Sequence, residues 1–154
     1  MSRIRSKNTK PEVTVRSLLR KIGYSYCLAA RGLPAKPDII LSRYRTAIQV
    51  HGCYWHRHAL KDKRCRITYT PKSGKKGREF WLQKFHENIL RDARVDRKLR
   101  RSGWSVITVW ECQLSRPAAV AVRLDRLLRA RAKKLGVRPP DGRHVRAVIR
   151  SLDK

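Results

Sequence analysis

The chain has 154 residues, the size of one domain with a core of two or three layers, and sets 39 Lys and Arg against 11 Asp and Glu for a formal charge of +28. Self-repulsion on that scale opposes compaction, so a polyanionic partner is expected, held by contacts that weaken steeply with salt. No apolar run nears the roughly eighteen residues of a membrane span, and Met1-Ser2-Arg3-Ile4-Arg5 lacks the apolar stretch of a secretory signal, so a cytoplasmic protein without a membrane partner is expected.

Residues 1–8 are polar and basic without periodicity and are expected to form a flexible arm that orders on a phosphate backbone. Thr9-Lys10-Pro11-Glu12 has the form of a helix start: Thr9 can cap, Pro11 is tolerated in the first turn, and Glu12 suits the positive end of the dipole. Val15, Leu18, Leu19 and Ile22 carry the apolar face, and Gly23 ends the helix. Residues 24–30 fit a short strand with Cys27 in the core, closed by the turn-rich stretch around Gly32, Pro34 and Pro37. Ile39-Ile40-Leu41 suits a buried strand, and residues 46–50 form the next, delivering His51 at its end. Asp38 and His51 can thereby share one rim of the sheet.

Residues 59–78 are rich in Lys, Gly and Ser and predict a surface loop. Helical spacing returns over 79–101 through Phe80, Leu82, Phe85, Ile89, Ala93, Val95 and Leu99, which makes this the longest helix. Residues 105–110 form a third strand, with Glu111 and Cys112 at its end. Val120, Leu124, Leu127 and Leu128 mark another helix; beyond Leu135 comes a linker, then a short stripe of Val145, Val148, Ile149 and Leu152 suited to a docked terminal helix. The order predicts an α/β fold with helices on both faces of a small mixed sheet.

Cysteines in a reducing compartment favour metal over disulfides. Cys53, His58, Cys65 and Cys112 make a complete tetrahedral set for structural zinc, with His56 as an alternative to His58, against the plainer possibility of small buried side chains filling space. Asp38, between a proline turn and an apolar run, can hold Mg²⁺ or merely cap the turn. An unperturbed histidine titrates near operating pH, so His51 and His56 are candidates to take a proton from water.

The blocks from Ser6 to Glu12, Leu33-Pro34, Lys36-Pro37-Asp38, Val50 to His58, Glu79-Phe80-Trp81, Asn88, Arg91-Asp92, Gly103-Trp104 and Val109 to Cys112 together resemble the very short patch repair (Vsr) DNA mismatch endonucleases. The blocks run in the family's order over roughly three quarters of the chain, far more specific than any single motif.

The resemblance implies a restriction-endonuclease-like core with a structural zinc, over residues 9–135 with a basic C-terminal extension at 136–154. It implies a bacterial, nucleoid-associated monomer that uses Mg²⁺ to nick the T-bearing strand 5′ to the T of a T·G mismatch in double-stranded DNA. Such nicking serves repair of deaminated 5-methylcytosine, beside a cytosine-5 DNA methyltransferase system and mismatch-repair proteins. By motif, Asp38 and the Val50 carbonyl would hold Mg²⁺, His56 would be the general base and His51 would assist at the scissile phosphate. Glu12 would be a helix-borne acid near the site. Asn88 and Asp92, one helical turn apart, would position water or His56, although the pair also fits a solvated helix face. Tyr54, Trp55 and Trp81 would wedge beside the mismatch, while Trp81 also fits a core position. The competing class is a zinc-stabilised nucleic-acid-binding protein without catalysis, which the charge supports equally.

Overall fold

The computed structural model describes residues 8–67 and 74–152; of the basic arm expected over 1–8, all but Asn8 lies outside the described residues, as does the 68–73 part of the expected loop. Helix α1 (Lys10–Lys21) starts as its sequence dictates. Thr9 Oγ1 accepts from the Glu12 N–H at 3.5 Å, and the Glu12 carboxylate reaches back to the Asn8 N–H (3.0 Å) and the Thr9 hydroxyl (2.8 Å). Gly23 stops it at φ +87°, with Gly23 N–H on the Arg20 carbonyl at 3.1 Å and Tyr24 N–H on that of Leu19 at 2.9 Å, the double closure of a Schellman cap.

That stop undoes the strand expected at 24–30. The cap turns Tyr24 into the core, edge-on to Tyr44 at 5.3 Å, with its hydroxyl donating to Asp125 at 2.7 Å. Pairing shrinks to one bridge between Cys27 and Ile40, closed by two backbone bonds of 2.8 Å. Cys27 is therefore half-buried at the sheet edge and not a core residue, its Sγ 3.6 Å from the Ile40 carbonyl.

Strand β1 (Ile39–Leu41) runs antiparallel to β2 (Thr46–His51), which runs parallel to β3 (Ser105–Trp110), in the order β1-β2-β3. Val50 lies opposite Val109 and His51 opposite Trp110. Alternation sorts the two faces. Ile39, Leu41, Ile48, Val50, Ile107 and Val109 join the main core beneath α1, α3 (Pro117–Leu135) and α4 (Gly142–Leu152); Ala47 and Val106 meet Leu99 of α2 (Lys75–Arg101) on the other face.

Helix α2 begins at Lys75, four residues before the predicted start at Glu79, with Gly74 at the N-cap and no acid in its first turn. Basic residues oppose the dipole there, which is why the sequence signals pointed to Glu79. Phe80 and Leu82, counted in the apolar stripe, are 54 % and 55 % exposed, whereas Phe85 and Leu99 are buried. Phe80 and Leu82 thus have no core beneath them.

Helix α3 has Pro117 in its first turn and ends on Gly136 at φ +65°. Helix α4 docks through Val145, with Val148, Ile149 and Leu152 against the same main core. Arg129 braces the approach to α4, bonded to Asp125 at 2.8 Å and to the Pro140 carbonyl at 2.9 Å. Among the described residues no helix is long and apolar enough to cross a membrane.

Candidate active site

Antiparallel pairing brings Asp38, just before β1, to the C-terminal end of β2, where its Oδ2 accepts the Val50 N–H at 2.7 Å. Burial raises the Asp38 carboxyl above its ordinary range; Glu12 and Asp92 raise it further, while the Val50 N–H and His56 oppose them. A carboxylate made uncomfortable by burial and by two acids gains from a cation. Glu12 supplies negative charge to this rim, but its own oxygens are taken by the helix cap and by Arg16 at 3.2 Å.

His51 follows Val50 and points to the α2 side, where its Nε2 lies 3.0 Å from Gln49 Oε1. Its ring stacks on His56, centroids 4.1 Å apart and planes 2° from parallel. Asp92 of α2 closes the group: its Oδ2 accepts from His56 Nδ1 and lies 4.0 Å from His51 Nε2. Burial and then the proximity of the His56 imidazole push His51 down to about 4, so it is neutral at physiological pH. Burial alone would raise Asp92, but the hydrogen bond and charge of His56, with His51 and Arg91, bring its carboxyl below the usual range. Asn88, one turn before Asp92, donates to the Trp55 carbonyl at 3.3 Å and so ties the His56 loop to α2. With Nδ1 of His56 engaged, its Nε2 holds the lone pair and can accept a proton.

Beside this group, Cys53, His58, Cys65 and Cys112 bring their ligand atoms within 4.8 Å of one another. His58 Nδ1 is 3.6 Å from Cys53 Sγ and 3.3 Å from Cys112 Sγ, near the roughly 3.6 Å expected between nitrogen and sulfur around tetrahedral zinc. The Cys112 N–H donates to Cys53 Sγ at 3.3 Å, and Trp110 stacks on His58 at 4.1 Å. Burial pushes Cys53 up to about 12 and raises Cys112, so these thiols are protonated unless a cation draws off their protons. Burial also lowers His58 and keeps it neutral, as a ligand must be. The set fits zinc. His58 sits in it, while His56 faces Asp92.

The aromatic residues form a third group. Tyr54 lies edge-on to Trp55 at 4.8 Å and to Phe85 at 5.5 Å, and Trp55 tilts against Trp81 at 5.6 Å. Phe80 extends it toward solvent, 5.5 Å from Trp81. Trp81 is half-buried at the rim of the cluster.

All the candidate residues thus gather around the end of β2 and the facing stretch of α2. Sequence reasoning overlooked Gln49, Glu111, whose carboxylate accepts the Cys53 N–H at 3.3 Å, and Phe80 as a member of the aromatic group. A signal for Gln49 existed: it is a polar residue within the apolar run of β2, two positions before His51 and hence on the same face.

A family model described as DNA mismatch endonuclease Vsr matches residues 1–62. The type II nicking enzyme V.XorIIP of Xanthomonas oryzae pv. oryzae is 43% identical over 128 residues, 83% of this chain and 88% of the relative. The type II nicking enzyme V.NmeAIP of Neisseria meningitidis serogroup A is 41% identical over 129 residues, 84% and 86% of the two chains. The DNA mismatch endonuclease Vsr of Escherichia coli is 36% identical over 114 residues, 74% of this chain and 68% of that one. With identity sustained over most of both chains, this protein belongs to the Vsr family and is a DNA endonuclease.

Proposed function

We propose that the enzyme uses Mg²⁺ to nick the T-bearing strand on the 5′ side of the T in a T·G mismatch, initiating repair of deaminated 5-methylcytosine. The observation that carries this is the convergence of one carboxylate, Asp38, with the stacked pair of His51 and His56 at the end of β2. The Escherichia coli relative, a DNA mismatch endonuclease, supports the mismatch, and the relatives that are nicking enzymes support cutting one strand.

Asp38 and the Val50 carbonyl would hold Mg²⁺, which when bound polarises the phosphate and offsets charge on the leaving oxygen. His56, oriented by Asp92, takes a proton at Nε2 from the water that attacks phosphorus as the P–O bond breaks. His51 assists beside the scissile phosphate, Asn88 holds the loop, and Glu12 adds negative charge near Asp38. Zinc on Cys53, His58, Cys65 and Cys112 would pin the loop that carries His56.

Selectivity has a physical source in Tyr54, Trp55 and Trp81. Wedging aromatic side chains into a duplex costs a few kcal/mol per unstacked step and least where pairing is already imperfect. The substrate class ties the enzyme to DNA marked by a cytosine-5 methyltransferase, with mismatch-repair proteins acting nearby, and it works as a monomer in the bacterial nucleoid.

The test is a strand-resolved nicking assay on T·G and T·A duplexes with Mg²⁺ or EDTA, for the wild type and Asp38→Ala. Cleavage confined to the T strand of the mismatch, dependent on Mg²⁺ and lost in Asp38→Ala with binding retained, is expected. Equal cutting of both duplexes refutes the mismatch assignment, and wild-type rates in Asp38→Ala refute the site.

A further inference from the structure

We propose that Gln49 is a positioning residue for cleavage: it holds His51 in the tautomer protonated at Nε2 and so fixes the ring on which His56 is stacked. The inference rests on the endonuclease chemistry above but concerns a residue with no part in it so far. Gln49 lies in a strand whose six residues are all buried, and is itself 6 % exposed. An amide left unpaired there would be costly. Its partner is His51 Nε2 at 3.0 Å, joined along one face of β2.

Two proton arrangements fit that contact. In one, Nε2–H donates to Gln49 Oε1; in the other, the amide is turned, Nε2 accepts and the ring proton sits on Nδ1. Asp92 Oδ2, 4.0 Å from Nε2, favours a proton on Nε2. The far side of the ring agrees. His51 Nδ1 is a buried nitrogen with no hydrogen-bond partner among the described residues. A proton on Nδ1 would leave a buried N–H without an acceptor, which folded proteins avoid more strictly than an under-used acceptor. The same buried Nδ1 excludes a cation, which would have to donate from both nitrogens.

The stacked rings therefore work in opposite senses. His56 is tied at Nδ1 and free at Nε2; His51 is tied at Nε2 and free at Nδ1. Neither has a proton to give a phosphate oxygen. The help that His51 offers beside the phosphate is to hold the face against which the His56 ring is stacked.

The experiment is ¹⁵N NMR of the histidine rings of the full-length protein, with His51 assigned by its loss in His51→Gln, paired with single-turnover nicking of the T·G duplex. Wild type should show Nε2 protonated and Nδ1 bare. Gln49→Met, of similar length without an acceptor, should mix the tautomers and slow nicking by about 10–100-fold, the usual cost of losing a group that orients a site histidine, with duplex affinity unchanged. Gln49→Glu should recover the tautomer and at least part of the rate. A Gln49→Met protein that keeps the single tautomer, or that loses it and still nicks at the wild-type rate, overturns the assignment, as does a slowing that Gln49→Glu fails to relieve. A wild-type protein that leaves mismatched duplexes intact defeats the cleavage reading instead, while its ring spectrum still decides the tautomer.

Discussion

Asp92 on α2 binds His56 through Oδ2 and holds the same oxygen 4.0 Å from Nε2 of His51, so a single carboxylate serves two stacked imidazoles that arrive from the opposite layer. Its side chain is 12 % exposed, so solvent does little to screen that influence. Asp92→Asn keeps the shape and removes the charge that orients His56. The nicking rate should fall by about 10²–10⁴-fold, the range of a general-base contribution, with little change in duplex affinity. Single-turnover cleavage beside a binding titration measures both.

Asp38→Asn should abolish nicking and at the same time stabilise the fold. A carboxyl whose folded pKa lies above its unfolded value opposes folding once ionised, and here burial, Glu12 and Asp92 all raise it. The opposition begins as pH rises past the ordinary carboxylate value and is complete only above the raised folded value. Removing the charge should raise the unfolding midpoint by roughly 2–4 °C per kcal/mol relieved. Thermal unfolding at pH 7 of both proteins tests it, and a lower midpoint for Asp38→Asn contradicts it.

His51 predicts the opposite pH trend. Its folded pKa is pushed from 6.5 down to about 4, so between those values the unfolded chain takes up a proton that the native ring refuses. Its contribution to stability is complete above about 6.5 and is lost as pH falls toward about 4. His51→Gln should flatten this part of the midpoint-against-pH curve. Parallel slopes for the two proteins would show that other groups set it.

Cys65→Ser should cost the protein its zinc. The wild type is expected to carry one zinc ion per chain by elemental analysis, and the variant little, because three ligands of the converging set remain. The loss should also lower stability and nicking together, since the stretch between Cys53 and Cys65 carries His56. Full metal content in Cys65→Ser would remove that residue from the ligand set.

Asp125→Ala tests the brace behind the sheet. It leaves the buried Tyr24 hydroxyl without its 2.7 Å partner and frees Arg129, which reaches on to the Pro140 carbonyl. A loss of about 1–3 kcal/mol in urea unfolding is expected. Cleavage by the folded fraction should be unchanged, because none of these groups borders the end of β2.

The amino-acid order was enough, by itself, for the elements whose causes are local. Thr9 and Glu12 form a cap within four residues, the alternation over 46–51 and 105–110 needs only a pleated backbone, and the apolar stripe of α3 repeats at the helical period. Local signals misled where distant packing ruled. Tyr24, turned inward by the Gly23 cap, is held out of a strand by a hydroxyl hydrogen bond to Asp125, far along the chain, and the start of α2 could not be read from a first turn that opposes its own dipole.

The site divides in the same way. Residue types and spacing along the chain were sufficient to nominate Asp38, His51, His56 and the Cys and His set. Only tertiary structure decided which histidine faces which partner, because that depends on α2 crossing the sheet so that Asp92 meets His56 while His58 turns under Trp110 toward the sulfurs. Gln49 escaped notice for the same reason. A glutamine in a strand carries no label of its own until burial denies it water and leaves an imidazole as its partner.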